Sequence, residues 1–264
     1  MVRIDVGYRI DVRENGGDKL MPEKRQCVFC EGKSLSKEHI FAQWLLKELE
    51  IYDKNVSMTH ASVIGVPISN RNHAFSKLIN GLVCEKCNNG WMSQLEGDCK
   101  KHIINLMNME ELKSELEFLN DNYYTVAKWA FKNVILLNSA TNYRQLAPES
   151  HYKKLYNGEI PPNTFVDLSF CSNDSVIEWR QSPGNFVIKD KNIPLNPNTD
   201  RYIITFKIKH LMIKVAYYKS DYNVFYEDEG SIRLYPQFGI YGEPKIFDSI
   251  DSFDINGLFN EYIT

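Results

Sequence analysis

The sequences CVFC at residues 27–30 and CEKC at residues 84–87 decide how this chain is expected to fold. Each holds two cysteines separated by two residues, a spacing that lets both thiolates reach one tetrahedral metal ion. Two such pairs fill the coordination shell of a zinc ion and leave no position open for water, which is typical of a structural site. The predicted ligands of this structural zinc ion are Cys27, Cys30, Cys84 and Cys87.

Two other interpretations of these cysteines are disulfide bonds and ordinary buried thiols. The N-terminal sequence alternates apolar and polar residues and lacks the apolar core of a secretory signal. No stretch approaches the ~18 consecutive apolar residues that a membrane span needs. We therefore expect a cytoplasmic protein without a membrane partner, in a compartment where paired cysteines hold metals more often than they form disulfides.

The composition indicates a folded chain but does not by itself indicate a nucleic-acid binder. Hydrophobic residues make up 43% of the 264 residues, which supports a core, and the formal net charge is −3. Any contact with nucleic acid must therefore come from a local basic patch, and a solvated charged surface is the alternative reading of those residues. The candidates for the patch are Lys24, Arg25, Lys33, Lys37, Lys86, Lys100 and Lys101.

Hydrophobic periodicity predicts an α+β chain in which helices precede most of the strands. Residues 51–75 are predicted to be a polar loop. Residues 202–218 are too long for one strand, so we expect a bulge or tight turn near His210. The predicted helices are 40–49, 91–99, 103–119, 123–137 and 251–262, and the predicted strands are 2–12, 165–170, 186–189, 202–218 and 231–235.

Three segments carry a family resemblance: the first cysteine pair, residues 36–45 (SKEHIFAQWL) and residues 83–96 (VCEKCNNGWMSQLE). Together they resemble the zinc-containing HNH endonucleases, also called the His-Me finger or ββα-metal family. The match is narrower for a bacterial and phage group with the patterns EH…P-x-W-L and C-x-x-C-N-x-G-W-M-S-x-L-E. Residues 123–137 are loosely similar to a helix that follows the module in that group. One departure is Ala42, which stands where the family commonly has proline.

The resemblance implies a ββα-metal fold with one catalytic Mg²⁺ or Mn²⁺ ion. It assigns His39 as the general base on water and Asn88 as a ligand of the catalytic ion, and Glu38 matches the acidic residue that often completes the site. Glu38 and His39 are neighbours, and neighbours on a regular strand point to opposite faces, so both reach one ion only if the strand bends. Asn80 is the best-placed candidate for the middle asparagine that orients His39, although Asn72 and His73 lie within the same variable loop.

Taken together, these inferences predict an α+β fold: a zinc-stapled HNH module followed by helices and an antiparallel sheet. The predicted domains are residues 1–110, with the module core at 27–96, and residues 111–264, of unknown role. The expected function is metal-dependent hydrolysis of DNA that leaves a 5′-phosphate and a 3′-hydroxyl. The alternatives are a non-catalytic, zinc-stabilised nucleic-acid-binding protein and an adaptor in an anti-phage defence system. The expected partner is DNA, and the possible protein partners are a second copy of the chain or another protein of that defence system.

Overall fold

The computed structural model describes residues 2–5, 26–61, 67–139, 145–184, 187–196, 199–237 and 244–263. Helices and mainly antiparallel sheets are mixed along these residues, so the predicted α+β class is confirmed at that level. The helices are α1 (Gln43–Glu48), α2 (Glu85–Cys87), α3 (Ser93–Asn108), α4 (Leu112–Ser139), α5 (Glu149–Tyr156) and α6 (Ile250–Asp254). The strands before α4 are β1 (Val2–Asp5), β2 (Leu35–His39), β3 (Asn55–Ala61), β4 (Pro67–Ala74) and β5 (Ile79–Cys84).

The larger sheet lies in the C-terminal half of the chain. Its strands run in the order β12-β6-β10-β9-β7, and β13 pairs with β6 in parallel. A second sheet, in the order β11-β14-β8, covers part of one face. These strands are β6 (Thr164–Cys171), β7 (Ile177–Ser182), β8 (Val187–Lys189), β9 (Arg201–Ile208), β10 (Leu211–Tyr218), β11 (Asn223–Asp228), β12 (Ile232–Tyr235), β13 (Ile246–Phe247) and β14 (Gly257–Tyr262).

Helix α4 packs against the other face of the large sheet. Its residues from Val126 to Asn138 are almost all buried, and the Trp129 ring meets the Phe206 ring of β9 at a centroid distance of 6.1 Å. One continuous hydrophobic core includes residues from the cysteine pairs, from α3 and α4, and from the large sheet. The N-terminal module and the C-terminal region therefore share their core, and the predicted division at residue 110 stays a prediction.

The cysteine pairs lie around a two-stranded sheet and the helical segment that follows it. Strands β2 and β5 pair antiparallel, with Leu35 opposite Cys84 and His39 opposite Ile79. After β5 the chain turns directly into α2, bends at Gly90 and continues as α3. Between β2 and β5 lie α1, β3 and β4, and the latter two form a separate sheet in the order β1-β3-β4.

Three of the element predictions are wrong. The predicted loop at residues 51–75 contains β3 and β4, and the predicted helix at residues 103–119 is broken where Met109 and Glu111 adopt left-handed backbone conformations with φ of 56° and 46°. The predicted helix at residues 251–262 is the short α6 followed by β14. The turn near His210 is confirmed, because it separates β9 from β10. The predicted strand at residues 2–12 includes β1, and its remaining residues lie outside the described ones.

Candidate metal centre and neighbouring polar cluster

The four paired cysteines converge on one point. Their sulfur atoms all lie within 4.8 Å of one another, and none is in a disulfide. The Sγ–Sγ distances are 3.4 Å from Cys30 to Cys84, 3.5 Å from Cys30 to Cys87 and 3.8 Å from Cys27 to Cys87. A zinc ion with bonds of about 2.3 Å to four tetrahedral sulfurs requires edges of roughly 3.8 Å. The cluster can therefore hold a metal ion such as zinc.

Backbone contacts bring the two cysteine pairs together. The Cys27 N–H donates to the Gly32 carbonyl at 2.9 Å, which closes a tight turn around the first pair. The Val28 N–H donates to the Leu82 carbonyl at 2.9 Å and so ties that turn to β5. A Cβ atom at Gly32 would lie 3.2 Å from the Cys30 sulfur, so a larger residue there would press on the cluster.

The thiols of the cluster influence one another's protonation. Burial raises the pKa of the Cys84 thiol, but a hydrogen bond from the Cys87 backbone and hydrogen bonds with the other three thiols lower it to about 7. A thiolate is the form that binds a metal ion. The cluster thus offers at least one ligand that ionises near neutral pH even before a cation further favours ionisation.

Asn88 is held against β2 by a short chain of hydrogen bonds. Its Nδ2 donates to the Ser36 hydroxyl at 3.1 Å, and that hydroxyl donates to the Val83 carbonyl at 3.0 Å. Because the Asn88 amide nitrogen is committed to Ser36, its carboxamide oxygen points elsewhere and is available as a ligand. Ser36 and Glu38 are two residues apart on β2, and the β2–β5 pairing is irregular between them.

Glu38 is a half-buried carboxylate that has no hydrogen-bond or ion-pair partner within the described part of the chain. Burial raises its pKa, Lys132 lowers the pKa, and Glu96 raises it again, with a net increase. A carboxylate that is partly withdrawn from water and lacks a partner gains strongly from a nearby cation.

The His39 side chain lies beside a different set of residues. Its Nδ1 is 3.3 Å from the Gln43 Nε2 of α1, and its ring lies 6.2 Å from the Tyr52 ring. Burial lowers the pKa of His39, and a hydrogen bond with the Ser76 backbone partly raises it. Because this bond raises the pKa, the ring donates and the Ser76 carbonyl accepts. The His39 side chain is therefore neutral at pH 7 and is oriented by a backbone carbonyl.

Asn80 is buried, and the hydrogen bonds shown for its side chain go to Leu82 and Ser139. Its Oδ1 accepts from the Leu82 N–H at 2.9 Å, and its Nδ2 donates to the Ser139 hydroxyl at the end of α4. In the β2–β5 register Asn80 lies opposite Glu38. The orienting role of Asn80 stays a prediction, and the structure adds a tie between β5 and α4 that the sequence did not indicate.

A buried ion pair lies behind Glu38 and was missed in the sequence. The Lys132 side chain of α4 has no solvent exposure and pairs with the Glu96 carboxylate of α3. The other Glu96 oxygen accepts a hydrogen bond from the Trp44 indole at 2.7 Å. Glu96 and Lys132 both lay inside the segments that carried the family resemblance, but their pairing spans 36 residues and has no local signal.

The predicted basic patch is only partly described. Lys33, Lys37, Lys86, Lys100 and Lys101 are exposed, while Lys24 and Arg25 lie outside the described residues. The Lys100 ammonium lies 5.8 Å from the centroid of the Trp44 ring.

Among the helices that the structure describes, none is long and apolar enough to cross a membrane. Comparisons of the chain with protein-family models, with curated proteins and with solved structures found no match.

Proposed function

We propose that this chain is a metal-dependent HNH endonuclease that hydrolyses phosphodiester bonds in DNA. One observation carries the proposal: the carboxylate of Glu38, unpaired among the described residues, lies two residues along β2 from Ser36, which holds the carboxamide of Asn88 next to the four-cysteine cluster. At the end of the same strand stands His39, whose pKa is lowered, so that its side chain is neutral and can accept a proton. The arrangement of β2, β5 and α3 agrees with the ββα order that the sequence resemblance implies.

Two different metal sites are proposed, and their donor sets differ in kind. Four thiolates suit zinc and close its coordination shell, so that ion would be structural. A carboxylate and a carboxamide oxygen suit Mg²⁺ or Mn²⁺, which keep several water ligands and can bind phosphate oxygens. When bound at Glu38 and Asn88, such an ion would stabilise the negative charge that develops on the phosphate and on the leaving oxygen.

In this proposal His39 is the residue that takes part directly in the reaction. Its neutral ring accepts a proton from a water molecule while that water attacks the phosphorus atom. The bond between phosphorus and the 3′ oxygen breaks, and the 3′ oxygen takes a proton from solvent. The products are a 5′-phosphate and a 3′-hydroxyl. The Ser76 carbonyl keeps the ring oriented and favours the imidazolium that forms during the step.

The Cys cluster and the Glu96–Lys132 pair serve this site by fixing its frame. The cluster joins the start of β2 to the start of the helical segment that carries Asn88. The buried pair holds α3 against α4 behind Glu38. A site of this kind needs its ligands held to within about 0.5 Å, so the supporting contacts matter as much as the ligands.

Nicking of supercoiled plasmid DNA in Mg²⁺ or Mn²⁺ tests the proposal. At a divalent-ion concentration just sufficient for wild type, Asn88→Ala should lose nicking, whereas Asn89→Ala, which alters the exposed neighbour, should retain it. Glu38→Gln should lose nicking, whereas Glu85→Gln at an exposed position should not. Equal nicking by wild type and all four variants would refute the site, and no nicking by wild-type protein with full zinc content would favour the non-catalytic alternative.

A further inference from the structure

The segment between the candidate base and β5 has an unusual charge pattern. Residues 54–77 (KNVSMTHASVIGVPISNRNHAFSK) contain no aspartate or glutamate, although the whole chain has 34 such residues. The cations of this segment are Lys54 and Lys77 at its two ends and Arg71 within β4. A stretch free of carboxylates does not repel phosphate groups, while three cations attract them.

Most side chains of strand β4 are exposed to solvent, unlike those of a strand that packs one face into a core. From Pro67 to Asn72 its side chains are exposed except for the half-buried Ser69, so neither face of the strand is packed into a core. It is also the edge strand of the β1-β3-β4 sheet. A strand normally buries one face, and one that buries neither gains little stability from its own packing. Its exposed residues are therefore available to a partner.

The exposed side chains of β4 are of the kind that read base pairs. Asn70 and Asn72 share one face and Arg71 lies on the other. Asparagine pairs with the edge of adenine through two hydrogen bonds. The Asn70 Oδ1 accepts from the Ser57 hydroxyl at 2.6 Å, so this role falls to Asn72. Ile68, whose side chain is 47% exposed, can contact a thymine methyl group. Within residues 67–74, Ile68 is the only large apolar side chain that is exposed, so polar groups dominate this part of the strand.

The root of this hairpin is fixed beside His39. The Phe75 N–H donates to the Lys54 carbonyl and the Ser76 N–H to the Tyr52 carbonyl, both at 3.0 Å. Ser76 in turn contacts the His39 ring, and the Tyr52 ring lies 6.2 Å from it. Lys54 and Lys77 thus stand at the end of the hairpin next to the candidate base, and β4 extends away from it.

We propose that the β3–β4 hairpin is the DNA-reading element of this nuclease. In this arrangement Lys54 and Lys77 bind the phosphate backbone on the side of the scissile bond. The face of β4 that carries Ile68, Asn70 and Asn72 lies against base edges in the major groove, and Asn72 selects the sequence at which the chain cuts. Arg71 lies on the opposite face and takes no part in base reading. The inference rests on the proposed nuclease function, because it assumes that a duplex lies across His39.

DNA binding is measured separately from DNA cutting, so that the hairpin proposal and the nuclease proposal can each fail without the other. Full-length His39→Ala protein is titrated against a fluorescent 30-base-pair duplex of random sequence at several salt concentrations, without divalent ions. Adding Lys54→Gln and Lys77→Gln should weaken DNA binding at least tenfold. It should also reduce the slope of log affinity against log salt concentration by about 1.8, because each phosphate contact contributes about 0.9 to that slope. Adding Lys113→Gln instead, at the exposed start of α4, should change neither value.

Sequence selection tests the base-reading part. Duplexes bound by His39→Ala protein are enriched from a random pool and sequenced, and the same is done after adding Asn72→Ala. The sequence preference should weaken by about tenfold at one or two base pairs, with the salt slope unchanged. Arg71→Ala, on the opposite face of β4, is the control and should leave the sequence preference unchanged. The inference is wrong if Asn72→Ala leaves the sequence preference unchanged and the Lys54→Gln and Lys77→Gln changes leave the affinity for DNA unchanged. This holds even if the wild-type protein nicks plasmid. Loss of binding in those variants without any nicking by wild type would support the hairpin and overturn the nuclease.

Discussion

The Lys132 ammonium on α4, which has no solvent exposure, forms an ion pair with the Glu96 carboxylate on α3, whose side chain is 13% exposed. Glu96 also accepts the Trp44 indole N–H at 2.7 Å, so both carboxylate oxygens are engaged. Glu96 is therefore committed to structure, and Glu38 in front of it remains free to bind a cation. The pair also joins α3, which follows the second cysteine pair, to the helix that covers the large sheet.

Removing one partner of this ion pair should be more harmful than removing both. Lys132→Met leaves the Glu96 carboxylate withdrawn from water without its cation, and we expect a loss of about 3 kcal/mol in the free energy of unfolding. The double variant Lys132→Met/Glu96→Gln should recover much of that loss, because the glutamine can still accept from Trp44. Urea denaturation of the three proteins measures both values. As a control, Lys154→Met removes only an exposed pair with Glu159 and should cost under about 1 kcal/mol.

The cysteine cluster should contain one zinc ion per chain. Cys84→Ser should abolish zinc binding, because a hydroxyl is a poor replacement for one of four thiolates. Cys99→Ser, which changes a buried cysteine outside the cluster, should retain the zinc. Structural zinc sites contribute on the order of 10 kcal/mol, so a strong chelator should also expose the region around the cluster to proteolysis. Elemental analysis of the purified variants decides the point, and full zinc content in the Cys84 variant would contradict it.

The pH dependence of cutting should reflect the neutral state of His39. Burial lowers its pKa, and the hydrogen bond to Ser76 offsets this only in part. A general base works in its deprotonated form, so activity should persist below pH 6.5, the ordinary pKa of histidine, and decline only in more acidic solution. The test is a profile of nicking rate against pH at saturating Mn²⁺. An acidic limb with its midpoint above pH 6.5 would contradict the assignment.

His151 should make the fold sensitive to acid independently of the candidate site. Burial lowers its pKa to about 4, with a smaller contribution from Lys154, and its Nδ1 lies 3.0 Å from the Tyr202 hydroxyl. The unfolded chain, with a histidine pKa near 6.5, binds the proton more readily, so stability falls as the pH drops from about 6.5 to about 4. The loss over that window amounts to about 3 kcal/mol. In His151→Gln the difference in unfolding free energy between pH 7 and pH 4 should shrink by that amount, and an unchanged difference would contradict the prediction.

The sequence predicted the elements whose signals are local. The turn between β9 and β10 follows from a change in the alternation of apolar residues near His210, and the cysteine cluster follows from spacing alone. The two strands β3 and β4 were missed because β4 buries neither face, so its residues show no alternation. The break between α3 and α4 contains neither glycine nor proline, and the left-handed conformations of Met109 and Glu111 leave no mark in the sequence.

Long-range contacts account for the rest of what was missed. Residues 257–262 form a strand because β11 and β8 lie on either side of them, which no local pattern records. At the candidate site, the sequence supplied the residue types but not their partners. The Ser76 carbonyl at the His39 ring and the Lys132 ammonium behind Glu38 depend on chain segments brought together only in the fold.

The central claim is that His39 activates water beside an ion held by Glu38 and Asn88. Single-turnover cleavage of a plasmid substrate, with excess protein and a titration of Mn²⁺, tests it most directly. We expect His39→Ala to lower the maximal rate by at least about 100-fold with little change in the Mn²⁺ requirement. Asn88→Ala should instead raise the Mn²⁺ concentration needed for half-maximal rate. If the His39 variant, with zinc bound and the fold intact, cuts at the wild-type rate, the account is wrong.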